Sequence, residues 1–275
     1  EFNKDPITDY IKTHNFSTFD DIVIYVNSLT NDIDKLYAIY AWTAINIKYD
    51  VEKYFSKDHK SVTYEDVFLT KKAVCSGYTK IFIEIANRCN LNKERIRIDK
   101  YTNLSKGYSF NSLNPPKTPK HNHASVFIEI DGYKFLCEPT WGSGYVDSFH
   151  QYHENFKPEL FLIPIYKTLN DHFPMEESTD LIPIQYSYQE FLNSCQINDY
   201  IYDIKTETNP FSTIKCDDGY LELIYNCIGP IENINFSVNL LKEDSTFLNL
   251  QRKGIINYEI INHLYLQKKY CKNIS

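Results

Sequence analysis

Cys75 lies in the run Ala73-Val74-Cys75-Ser76-Gly77-Tyr78, where helical periodicity begins. Across residues 73–90, Ile81, Phe82, Ile85 and Cys89 fall on one stripe, so a helix is expected to start at or just after Cys75. A cysteine in a first helical turn meets unpaired N–H groups and the positive end of the helix dipole, and both favour thiolate over thiol. That placement suits nucleophilic attack on an acyl carbon. Gly77, just inside the helix, would leave room for a substrate chain to approach. Cys89, on the apolar stripe, reads as a small core residue, and taken alone Cys75 reads the same way.

A nucleophilic thiol needs a base, and a hairpin supplies one by register. His123 to Ile130 is an apolar strand pattern, Asp131-Gly132 is the two-residue turn signal, and Tyr133 to Glu138 returns. This register pairs Ile130 with Tyr133, Val126 with Cys137, Ser125 with Glu138 and His123 with Thr140. Alternation of side chains then makes His123 and Glu138 diagonal neighbours on one face, with Cα atoms about 7–8 Å apart, a gap a hydrogen bond can close. A carboxylate on one ring nitrogen fixes the histidine tautomer and stabilises the imidazolium, the orienting role in a Cys-His-acid triad. Standing alone, the hairpin reads as a cross-strand polar pair without function. His121 shares the parity of His123 but has no acid opposite it. A cluster of His121, His123, His150 and His153 lacks metal-ligand spacing, so neither metal nor cofactor is expected.

Several elements must hold these residues. The first fifty residues read as two amphipathic helices, the second capped by Asn31 with Leu36, Ile39, Tyr40, Thr43 and Ile47 on one face and Trp42 packing. Thr63 with Asp66 three residues on starts a short helix through Phe68. Arg95 to Tyr101 is a strand, and the run to Asn122, with Pro115, Pro116 and Pro119, is a surface loop. Beyond Trp141-Gly142-Ser143-Gly144 the chain reads as irregular until the apolar run Leu160 to Ile165, and Ser187 with Glu190 caps a last short helix. From about Ile204 the pattern turns β-rich, with candidate strands at 220–228, 234–241 and 256–265. Two domains are therefore expected, 1–203 and 204–275.

Composition bounds the function classes. With 275 residues, 43% hydrophobic and 24% charged, the chain can bury a substantial core as one large or two modest domains. No stretch approaches eighteen consecutive apolar residues, so no membrane span is expected and the chain reads as soluble. A net charge of −7 without a Lys/Arg stripe argues against nucleic acid. Seven cysteines without a C-x-x-C pair read as reduced thiols, which favours the cytoplasm without fixing localisation. The chain opens Glu1-Phe2 without Met and reads as a fragment or processed product.

In order along the chain, V-C-S-G-Y at a helix start, H-A before an apolar strand and D-G turn, and E-P-T-W-G-S-G resemble the transglutaminase-like superfamily of papain-like thiol enzymes. The nearer likeness is to the kyphoscoliosis peptidase group, whose core also carries a helix ending in a W…N-I-x-Y-D run, here Trp42, Asn46, Ile47, Tyr49 and Asp50. The resemblance spans about residues 33–195. It implies an α+β fold: a papain-like transglutaminase core, with N-terminal helices and a Cys-bearing helix packed on an antiparallel sheet, followed by a small β-rich, complete or incomplete immunoglobulin-like module. It also implies Cys75 as nucleophile, His123 as general base and Glu138 as orienting acid, acting on a protein or peptide amide, with hydrolysis ahead of transamidation. The alternative is a catalytically degenerate scaffold that binds protein partners, the C-terminal module included. Two positions depart from the family pattern: Glu138 stands where Asp is usual, and Ser125-Val126 where Trp-Asn usually follows the His-Ala pair.

Overall fold

Three helices, not two, open the chain in the computed structural model: α1 (Asp5–Thr13), α2 (Phe19–Ser28) and α3 (Asp32–Asn46). The structure describes residues 4–56, 61–111, 114–182 and 186–194 and five strands beyond residue 202. The chain divides into two units, 1–191 with 196–200, and 192–195 with 201–275. The extra helix has a local cause. The Thr18 side chain accepts from the Asp21 amide while Asp21 accepts from the Thr18 amide, a capping box that starts α2 afresh. Asn31 caps α3 through the Asp34 amide at 2.8 Å, and α3 is buried almost all round, with Tyr37, Tyr40 and Trp42 inside.

A two-residue parallel pair, β1 (Lys48–Tyr49) with β2 (Lys72–Ala73), brackets α4 (Val51–Phe55) and α5 (Tyr64–Thr70), and the Thr63–Asp66 capping box starts α5. Helix α6 (Cys75–Arg88) follows, with Ile81, Phe82 and Ile85 buried and Cys89 just past its end, also buried. Gly77 does not open space for a substrate. A Cβ there would lie 2.6 Å from the Ala73 Cβ, so the glycine lets α6 pack against β2.

The sheet that carries the site is antiparallel. Strands β3 (Ile96–Ser105), β4 (His123–Ile130) and β5 (Tyr133–Cys137) form its centre. After them come α7 (Pro139–Ser143), the hairpin of β6 (Gly144–Val146) and β7 (Tyr152–Glu154), β8 (Ile163–Pro164), α8 (Ile165–Thr168), β9 (His172–Pro174) and α9 (Tyr188–Asn193). The order across the sheet is β8-β5-β4-β3-β9, and α6 packs on β4 and β3. Asp131 and Gly132 both have positive φ, 51° and 83°, as a type I′ turn requires, and Ile130 pairs with Tyr133 and Val126 with Cys137. The ladder stops there. Pro139 has no N–H to give a strand and is suited to a helix's first turn, so the expected Ser125–Glu138 and His123–Thr140 pairs do not form and Glu138 becomes the residue that begins α7. The stretch expected to be irregular beyond Trp141-Gly142-Ser143-Gly144 holds the β6–β7 hairpin instead. The run Leu160 to Ile165 is broken by Leu162 at φ 50° and supplies only the short β8 before α8 begins.

In the second unit, β10 (Asp203–Thr206), β11 (Leu221–Ile228) and β14 (His263–Leu266) form one antiparallel ladder, and β12 (Phe236–Leu241) pairs with β13 (Phe247–Arg252). Strands expected at 220–228 and 234–241 coincide with β11 and β12; 256–265 overlaps only the start of β14, and β13 was not anticipated. The segments that would decide an immunoglobulin-like connectivity, such as 207–220 and 253–262, lie outside the described residues.

Candidate active site

Val74, extended at φ −89° and ψ 175°, delivers the chain into α6 so that Cys75 occupies the first turn. The Thr79 hydroxyl lies 3.1 Å from both the Cys75 and Ala124 carbonyls, which ties this turn to the strand residue beside His123. His123 is buried at the start of β4, its Nε2 3.0 Å from Glu138 Oε2. The same ring is hydrogen-bonded to the Cys75 thiol. Cys75, His123 and Glu138 are thus brought together.

Burial pushes the Cys75 thiol up, but the hydrogen bond from His123, its charge, and the Ala124 and Ser76 amides outweigh it, so the thiol titrates below its ordinary value. Burial opposes the His123 cation, yet the Glu138 carboxylate and the Cys75 sulfur raise it to about 10. Burial likewise opposes the Glu138 anion, and the two histidines beside it bring it down to about 2. Cys89 and Cys137 behave oppositely: burial raises Cys89 to about 11 and Cys137 well above the usual thiol value.

The second of those histidines escaped the sequence reading. His172, on the edge strand β9, is fully buried with Nδ1 2.6 Å from Asp171 Oδ1 and Nε2 3.0 Å from Glu138 Oε1. The last contact has ion-pair distance but lies off hydrogen-bond alignment, and neither atom has an aligned partner. Asp171 and Glu138 raise His172 to about 9 against the cost of burial. The indole of Trp141 covers both histidines, 5.3 Å from the His123 ring and 4.5 Å from that of His172. The Asp-His dipeptide was the available signal; its partner is set by the β3–β9 ladder, which no local pattern reveals. Where the family has Trp-Asn, Ser125 accepts a buried hydrogen bond from Asn103 at 3.0 Å.

The other histidines considered do not gather here. His121 is exposed in the loop, His150 bonds the Tyr108 hydroxyl at 2.7 Å and His153 pairs with Asp147 at 2.7 Å. Ligand atoms of His123, Glu138 and His172 lie within 4.8 Å of one another. Cys75 and His123 open onto a cavity of about 390 Å³ whose walls include Tyr49, Trp141, Asn122 and Leu160.

A profile of the transglutaminase-like domain matches residues 19–160. The kyphoscoliosis peptidase of Mus musculus is 26% identical over 172 residues, 60% of this chain, and that of Homo sapiens 24% identical over 171 residues, 59% of it. In both cases the chain spans about a quarter of the relative's length, 24%. A solved structure from Cytophaga hutchinsonii, named as a candidate cysteine protease, is 16% identical with a TM-score of 0.32, over 51% of this chain and 43% of that one.

Proposed function

The chain belongs to the transglutaminase-like domain family, and from that premise we propose that it is a thiol-dependent acyl-transfer enzyme acting on protein amide bonds, a cysteine peptidase. The observation that carries this reading is the buried His123 ring, which bonds Glu138 through Nε2 and is hydrogen-bonded to the helix-start thiol of Cys75.

In this reading the Cys75 thiolate attacks the amide carbon. The His123 imidazolium gives its proton to the departing amine as the C–N bond breaks, leaving a thioester on Cys75. His123, now neutral, takes a proton from water as the water oxygen attacks the thioester. The acid leaves and the thiolate–imidazolium pair returns. Glu138 keeps the ring oriented and its cation stabilised. His172, fixed by Asp171, holds the carboxylate oxygen that His123 does not use, which limits the extra freedom of Glu over the family's usual Asp. The peptidase name of the mouse and human relatives favours water over an amine as acceptor. The core is assigned to residues 1–203, and the strands beyond it to an immunoglobulin-like module offering a surface to protein partners.

Incubation with an unfolded protein, followed by mass spectrometry of new N-termini, tests the reaction. New termini that vanish in Cys75→Ala support hydrolysis, and incorporation of a fluorescent primary amine in their place makes transamidation the reaction. Silence in both assays overturns the enzyme and leaves a scaffold.

A further inference from the structure

Three segments far apart in sequence meet at the mouth of the Cys75 cavity. Phe55 ends α4, Tyr108 lies in the loop after β3, and His150 sits in the turn between β6 and β7. The Phe55 ring stands edge-on to His150 at 4.5 Å and to Tyr108 at 6.3 Å, and the Tyr108 hydroxyl bonds His150 Nδ1 at 2.7 Å. His150 is held at φ 60°, a left-handed conformation that costs a non-glycine residue about 1–2 kcal/mol. Asp147 fixes that turn, its side chain accepting from the Phe149 and Gln151 amides and its carbonyl from that of His150. The strained turn therefore holds a ring against solvent-facing aromatics, not in the core.

Phe55, Tyr108 and Tyr145 are 50%, 52% and 54% exposed, yet all three line the cavity that holds Cys75. Trp141, Tyr54 and Tyr152 continue the aromatic wall inward. Besides the Cys75–His123 pair, whose charges cancel, Lys106 and Lys157 are the charged residues among the described ones lining the cavity, and there is no carboxylate, although the chain has 36 acidic residues against 29 basic ones. Aromatic faces alone would also attract a cation, but a desolvated ammonium here meets no carboxylate counter-ion.

Resting on the Cys75 reading above, we infer that this aromatic wall is the specificity site for the substrate: it takes a bulky aromatic or aliphatic side chain beside the scissile amide and excludes lysine and arginine. Burial of such a side chain against several rings removes apolar surface from water and orients the amide toward Cys75.

Four peptidyl vinyl sulfones with neutral caps, identical except for Phe, Glu, Lys or Ala at the variable position, test this through their rate of Cys75 modification, read by intact mass and divided by the iodoacetamide rate. The Phe probe is expected to react at least tenfold faster than the Lys probe, with Ala between them and Glu above Lys. Phe55→Ala and Tyr108→Ala should each lower the Phe rate about tenfold, whereas Tyr133→Ala, at the distant hairpin tip, leaves the ranking intact. Equal Phe and Lys rates, or a faster Lys probe, overturn the inference while leaving the thiol chemistry standing. If Cys75 proves inert to iodoacetamide, the chemistry fails. The specificity site is then judged by fluorescence anisotropy of labelled Phe and Lys peptides on Cys75→Ala, where equal affinities overturn it.

Discussion

Glu138→Gln keeps shape and removes one buried charge, so its cost can be worked from the structure. The carboxylate is fully buried between His123 and His172, each 3.0 Å from one of its oxygens, and sits at about 2 in place of the ordinary 4.5. That displacement corresponds to about 3 kcal/mol at ~1.4 kcal/mol per pH unit. It is not to be added to the raised values of the two histidines, which describe the same contacts from the other side. Removing one member of a buried ion pair is expected to cost about 3–5 kcal/mol, in the same range. Burial between two cations makes Glu138 structural as well as orienting.

The sign of the pH dependence follows. A depressed carboxylate contributes fully above about 4.5 and loses its contribution as pH falls through about 2. Protonated Glu138 is chemically close to Gln, so wild type and variant should converge in acid. Thermal unfolding followed by circular dichroism should give the variant a Tm lower by about 6–12 °C at pH 7, at roughly 2–4 °C per kcal/mol for a unit of this size. The gap should narrow steadily below pH 4.5. Equal Tm values at pH 7, or a gap that does not change with pH, would refute the buried-charge reasoning.

Other perturbations separate the roles. His172→Gln keeps a donor near Glu138 without the charge, and is expected to lower Tm and reduce amide turnover by about tenfold; unchanged turnover and stability would remove His172 from the site. Glu138→Asp, shorter by one methylene, cannot span both histidines as Glu does, so stability should fall while turnover stays within about tenfold of wild type, against a loss of about 10⁴-fold for Glu138→Gln; an Asp variant as inactive as Gln would show that the span itself is needed. Gly77→Ala should destabilise by about 1–3 kcal/mol, because its Cβ would lie 2.6 Å from that of Ala73; a neutral result in chemical denaturation would mean that β2 yields.

What the sequence disclosed was local. The Asp131-Gly132 turn, Asn31 and the Thr63–Asp66 box act within a few residues, and the hairpin register placed His123 correctly on β4. Two further signals are equally local: Thr18 with Asp21 splits the N-terminal helices, and Pro139 ends β5 before Glu138 can pair. Glu138 reaches His123 from a helix start, not from the diagonal strand position expected. His172 and the rings of Phe55, Tyr108 and His150 were out of reach of such reasoning, because strand pairing and loop packing across tens of residues bring them together.

The claim on which the rest depends is that Cys75 and His123 form a thiolate–imidazolium pair. The most direct measurement is the rate of iodoacetamide modification of each cysteine from pH 5 to 10, located by peptide mass mapping, in wild type and in His123→Ala. The expected result is that Cys75 reacts first and is already reactive well below the ordinary thiol range of about 8.5, that Cys89 and Cys137 lag, and that His123→Ala moves the Cys75 profile to higher pH. Modification of Cys89 or Cys137 ahead of Cys75, or a Cys75 profile indifferent to His123, would contradict it.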